Sequence, residues 1–216
     1  MADINPIYLI ALIAVMGLLP FFLMMVTSYV NIVVVMTLVR NALGVQQVPP
    51  TMVMNGLAIV LTVFIMGPVG FSTWDILKNK NMPDNPTPTE IGEILHQASP
   101  PLKNFLQKNS DPKVLNTFQA SAKKIWPPEH HQFINSDNMM VLMPSFVISE
   151  LTRAFKIGFL LYLPFITIDL IISNILLAMG MMMVSPTTIS LPFKLLLFVT
   201  LDGWLKISQG LMYSYQ

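Results

Sequence analysis

FLLYLPFITIDLIISNILLAMGMMMV, residues 159–184, carries one charge, Asp169, in 26 positions. A helix of about 20 apolar residues crosses a hydrocarbon core, so this stretch is of membrane class. Its end, Leu177-Ala178-Met179-Gly180-Met181-Met182-Met183-Val184, lies just before Ser185-Pro186 and holds four methionines in five positions. Methionine is flexible and polarisable; it fills irregular gaps but specifies packing poorly. The run therefore reads either as ordinary apolar packing at the end of a membrane helix or as a deformable seal. By itself it favours packing.

The surrounding composition agrees with a membrane class. The chain has 216 residues, 54% hydrophobic and 11% charged, and a mean hydropathy of +0.64. Soluble domains carry about 25% charged residues. Residues 1–71 hold only Asp3 and Arg40, and residues 158–216 only Asp169, Lys194, Asp202 and Lys206. The other 17 of the 23 charged residues lie between 72 and 157. Two nearly uncharged arms thus flank a polar middle. A net charge of +1 argues against nucleic-acid binding through phosphate neutralisation. Cysteine is absent, which removes disulfides, thiol nucleophiles and thiolate metal sites. The start, Met1-Ala2-Asp3-Ile4-Asn5-Pro6, has no basic segment, so a removable signal peptide is not expected.

The fold class is all-α: two kinked helical hairpins with a small helical insert. The N-terminal hairpin covers 1–71, the insert 72–143 and the C-terminal hairpin 144–216. In the first arm a short helix runs from Ile7 to Leu19, Pro20 kinks it, and a second runs to about Arg40. Gly44 suits a helix C′ position, and Pro49-Pro50 opens a helix from Thr51 to about Met66, ended by Gly67-Pro68. In the middle, Met82 to Pro88 is an extended connection. Thr89 is a possible cap for a helix over 89–95. Amphipathic helices suit 99–108 and 111–125, the latter with Asp111 as N-cap and Pro112 as its first residue. Trp126-Pro127-Pro128 stops it. The insert is too small for a separate core to be assumed, and packs on the rest of the chain or a neighbour. In the last arm an amphipathic helix over 145–158 continues into 159–184, broken at Pro164. Ser190-Leu191-Pro192 then opens a helix to about Leu205.

Polar residues in apolar company are the candidate sites. An isolated carboxylate in hydrocarbon is costly, so Asp169 is neutral, paired or facing a wet interior. It reads as part of a proton relay or as a helix or subunit contact; the lack of a second buried ionisable group in the first arm favours the contact. Ser173 lies four residues on, on the same face. Asn31, Asn55 and Ser173 suit interhelical hydrogen bonds. Glu150 and Arg153 suit a surface ion pair or a subunit contact, and Asp202 and Lys206 suit a pair near the last helix end. His130-His131 lacks the spacing that puts two ligands on one helical face, and no phosphate loop, nucleophile elbow or H-E-x-x-H occurs. No enzyme, cofactor or metal site is expected. A simple count of basic residues puts the middle on the cytoplasmic side, although the rule weakens for so long a loop.

Longer stretches carry a resemblance. They are Leu38-Val39-Arg40-Asn41-Ala42-Leu43-Gly44-Val45-Gln46-Gln47-Val48-Pro49-Pro50 with Val53-Met54-Asn55-Gly56-Leu57-Ala58, and Pro144 through Phe159. Leu163-Pro164-Phe165, Ile168-Asp169-Leu170, the methionine run, Ile189 to Lys194 and Asp202-Gly203-Trp204 continue it. On these the chain resembles the FliP/SctR family of type III secretion export-gate proteins. The likeness covers about 20–71 and 140–206; the middle has no comparable signature.

The resemblance implies a pore subunit, not an enzyme. Five copies would assemble with four copies of a small two-helix subunit and one copy of a third gate subunit into a helical funnel. A specificity-switch protein would wrap its base, and unfolded secretion substrates would pass through it toward the needle or rod. The assembly would sit at the bacterial inner membrane, at the centre of the basal body, with the middle facing the periplasm, against the charge count. Met181, Met182 and Met183 would form a gasket from each copy, with Met179 in it or beside it. Asp169 and the Glu150/Arg153 pair would serve packing. The lack of a leader resembles the injectisome branch. The rival readings are a proton- or ion-coupled transporter built on Asp169 and a membrane scaffold without a conduit.

Overall fold

Prolines and glycines punctuate this chain, yet four of its described helices run past an internal proline. The computed structural model describes residues 6–45, 47–78 and 88–216. Among them the chain is all-α, with no strand. The helices are α1 (Pro6–Met25), α2 (Tyr29–Leu43), α3 (Thr51–Lys78), α4 (Pro88–Ala98), α5 (Pro100–Asn109), α6 (Pro112–Ile125), α7 (Met139–Ala178), α8 (Pro186–Thr200) and α9 (Gly203–Tyr213). A 3-10 turn, Pro128–Phe133, precedes α7. Helices α3 and α7 are long and apolar enough to cross a membrane. The spans number up to four if α1 with α2, and α8 with α9, each count as one interrupted span.

Several boundaries differ from the sequence expectation. Pro20 lies inside α1, and the break comes at 26–28 instead. Pro68 lies inside α3, which continues to Lys78. Pro164 does not break α7, a continuous helix of 40 residues. A proline removes one backbone bond and crowds one carbonyl; long apolar helices tolerate it because neighbouring turns still hold. The last arm differs the other way. A helix begins at Pro186, stops at Thr200, and bends by 59° into α9. Asp202 stands at this elbow with φ +50°, a left-handed conformation that ends α8. Among the described residues no ion pair joins the Asp202 and Lys206 side chains; Lys206 N–H donates to Asp202 C=O at 3.0 Å as the first helical bond of α9.

Other local expectations hold. Gly44 follows α2 at φ +76° and donates to Asn41 C=O at 3.1 Å. Asp111 caps α6, its side chain accepting from Lys113 N–H at 2.8 Å. Trp126 follows the end of α6. Thr89 is not a cap, since α4 begins at Pro88. The connection expected at 82–87 lies outside the described residues.

Polar side chains inside the long helices are largely satisfied by their own helix. Thr62, Thr73, Ser145, Ser149 and Thr167 each donate to the carbonyl four residues earlier, at 2.6–2.9 Å. This bond hides a hydroxyl in apolar surroundings without a partner helix.

The chain forms two compact units. The first comprises 1–30 and 69–149. Val26, Leu106, Leu142 and Phe146 are its buried centre, flanked by Leu102, Phe105, Leu115 and Met139. The rings of Phe105 and Phe146 lie 5.8 Å apart. Asp111 N–H donates to Ser149 Oγ at 2.9 Å, and Lys103 pairs with Asp137 at 3.1 Å. The insert helix α5 and the start of α6 therefore dock on the first turns of α7. The second unit comprises 31–68 and 150–216. Here Gly158 of α7 lets Leu38 of α2 approach closely: a Cβ at Gly158 would meet Leu38 Cδ1 at 2.3 Å. Phe198 of α8 lies 6.5 Å from Phe165 of α7 and edge-on to Trp204 of α9 at 5.2 Å.

Candidate functional site

The candidate residues with the most specific geometry all lie in the second unit. The methionine run is a turn, not the end of a helix. Helix α7 stops at Ala178, and Gly180 follows at φ +74°. Gly180 N–H donates to Leu177 C=O at 3.0 Å and Met181 N–H to Leu176 C=O at 2.9 Å. These two bonds are the Schellman cap, which needs a left-handed residue after the helix and is met by glycine without a Cβ penalty. Met182 N–H then donates to Gly180 C=O at 3.0 Å and Val184 N–H to Met181 C=O at 3.3 Å. Helix α8 opens at Pro186. The turn throws its side chains outward: Met179 is 65% exposed, Met181 40%, Met182 80% and Met183 100%.

Asp169 is paired inside its own chain. Lys194 Nζ of α8 lies 2.6 Å from Asp169 Oδ2, and Ser190 Oγ donates to Asp169 Oδ1 at 2.5 Å. Lys194 also donates to Ala42 C=O, in the last turn of α2, at 3.2 Å. A cation there satisfies an otherwise open carbonyl and suits the negative helix end. One buried lysine thus ties α2, α7 and α8 together. Residue order alone left Asp169 without an assigned partner and did not single out Ser190. The signal was present: Ser190 and Lys194 are four apart and share a helical face.

Glu150 is not a surface residue. It is fully buried. Asn31 Nδ2 of α2 donates to its Oε2 at 3.0 Å, the Tyr215 phenol donates to the same oxygen, and Arg153 Nη1 lies 2.8 Å from Oε1. The Arg153 guanidinium also sits 5.8 Å from the Tyr215 ring centre. Burial, then the Glu150 carboxylate, raises the Tyr215 phenol above its ordinary range, so it stays a donor. Sequence reading linked Glu150 only to Arg153; Asn31 is 119 positions away and Tyr215 is 65. Asn55 and Ser173 are half-buried on α3 and α7. His130 and His131 lie in the 3-10 turn, where His131 Nε2 meets Trp126 C=O at 3.0 Å. Among the described residues no group of three His, Asp or Glu is placed to hold a metal.

Glu150 and Arg153 of the hub, the Asp169–Ser190–Lys194 tie and the exposed methionine turn sit within the sequence blocks that carried the resemblance. The FliP family matches residues 12–211. The chain belongs to the FliP family.

It is 51% identical to the Yop proteins translocation protein R of Yersinia pestis, over 98% of this chain and 97% of the relative. It is 45% identical to the hypersensitivity response secretion protein HrcR of Ralstonia nicotianae, over 96% of each. It is 47% identical to the virulence protein YscR of Salmonella typhimurium, over 93% of this chain and 92% of the relative. FliP-family proteins are structural components of type III secretion export gates, not enzymes. With its long apolar helices, this FliP-family chain is an inner-membrane component of that export apparatus, in a group rich in virulence-associated relatives.

Proposed function

We propose that this chain is the core pore subunit of an injectisome-type export gate, which conducts unfolded proteins and seals itself at rest. The observation that carries this reading is the outward turn of Met181, Met182 and Met183, held by a glycine cap at a membrane-class helix end. Repeated around an axis, such turns would meet as a ring of soft apolar side chains. The ring would exclude water and ions yet yield to cargo of varied shape. Met179 would lie beside it. In this reading five copies join four copies of a small two-helix subunit and one of a third subunit in a funnel. A specificity-switch protein holds the base, and the insert faces the periplasm. Asp169, Glu150, Arg153, Asn31, Asn55 and Ser173 hold helices and subunits in place. The transporter alternative loses support because Asp169 already has a lysine and a serine on its two oxygens.

The test replaces Met181, Met182 and Met183 together with Ala and measures ion leakage across the inner membrane, with assembly checked on the purified complex. Leakage should rise well above that of the parent. An assembled triple variant that leaks no more than the parent removes the gasket role.

A further inference from the structure

We infer that the Met181–Met183 turn is an oxidation-sensitive element, a site where peroxide converts the resting seal into a leak. This rests on the gasket reading above. The chemistry follows from exposure. Within the single chain Met183 is fully exposed and Met182 is 80% exposed, and as lining of the proposed constriction both face the passage, whereas Met36 and Met54, on α2 and α3, are 0% and 2% exposed. A thioether reacts with a peroxide directly. The sulfur lone pair attacks one peroxide oxygen, the O–O bond breaks, and an S=O bond forms. Methionine is oxidised by two electrons to the sulfoxide, and hydrogen peroxide is reduced to water. No metal or catalytic base is needed, so access decides which sulfur reacts.

The consequence follows from the physics of the seal. A sulfoxide is polar and chiral, with a strong acceptor oxygen in place of a soft apolar sulfur. A constriction that closes by excluding water wets when its lining becomes polar. Adjacent sulfurs concentrate the effect: Met181, Met182 and Met183 are consecutive in every copy, so partial oxidation already places several sulfoxides in one ring. The change is reversible, because methionine sulfoxide is a substrate for reductases. Leucine offers the matching control, being apolar, of similar volume and inert to peroxide.

The experiment treats cells carrying the assembled gate with hydrogen peroxide. It reads leakage after treatment as a ratio to each strain's own leakage before it, so that any resting difference cancels. Peptide mass spectrometry of the purified gate locates the sulfoxides. We expect sulfoxide at Met182 and Met183 before Met36 and Met54. The ratio should rise several-fold in the parent, stay near one in the Met181→Leu, Met182→Leu, Met183→Leu variant, and return toward one on incubation of the parent gate with methionine sulfoxide reductase. Sulfoxide at the turn without a rise in leakage overturns the inference, as does an equal rise in both strains. So does an unoxidised turn in a gate whose exposed Met52 is oxidised. The Ala variant without peroxide separates the two claims: if it leaks while peroxide does nothing, the gasket reading stands and only this inference fails.

Discussion

Lys194 shows how one buried charge can be kept in an apolar bundle. Its ammonium reaches a carboxylate, Asp169, and the carbonyl of Ala42 at once. Removing one partner of such a pair strands the other, which is worse than removing both. Lys194→Met should therefore destabilise the detergent-purified protein by about 3 kcal/mol, the low end of the range for breaking a buried pair, because Asp169 is partly exposed. The double variant Lys194→Met, Asp169→Asn should lose less than the two single losses added together, with a coupling of about 1–3 kcal/mol. Denaturation of the four proteins gives the cycle. A proton relay predicts something else, loss of coupled flux in Asp169→Asn with stability intact. The Glu150 hub obeys the same rule with more partners, since Asn31, Arg153 and Tyr215 all converge on one carboxylate.

At the scale of elements, the turns were legible and the breaks were not. Gly44 and the Asp111-Pro112 pair act through local backbone needs, and these are written in adjacent residues; the turn at Gly180 was instead expected to be helix through 184. Pro20, Pro68 and Pro164 look like the same kind of signal, yet their helices continue, because the cost of one lost bond competes with long runs of apolar turns. The true breaks at 26–28 and 201–202 carry no proline at all. Helix pairing depends on fit as well. Gly158 leaves no room for a side chain beneath Leu38. Gly158→Ala should push α2 from α7 and cost about 1–3 kcal/mol through overpacking, seen as a lower melting temperature of the purified protein. An unchanged melting temperature would mean that Leu38 moves aside freely.

Taken as a whole, the chain leaves much apolar surface for others to cover. Only 11% of the most apolar window of α7 is buried within the chain, and Phe64, Phe71, Trp74 and Leu196 stand exposed. Apolar faces on this scale belong against lipid or protein. In the proposed assembly, the gate purified in mild detergent has the mass of five copies of this chain with the smaller partners. A monodisperse single chain with detergent alone would contradict the oligomeric reading.

Class and family were both readable from residue order, because each depends on local quantities. Hydropathy over some twenty residues sets the membrane class, and the blocks around Arg40 and Glu150 carry the family. Which polar groups meet was not readable. Asn31, Glu150 and Tyr215, or Ala42, Asp169 and Lys194, are distant in sequence and meet only when helices pack at one register. A buried charge takes its partner from whatever that register brings within 3 Å or so, and side-chain spacing along a single helix cannot specify it.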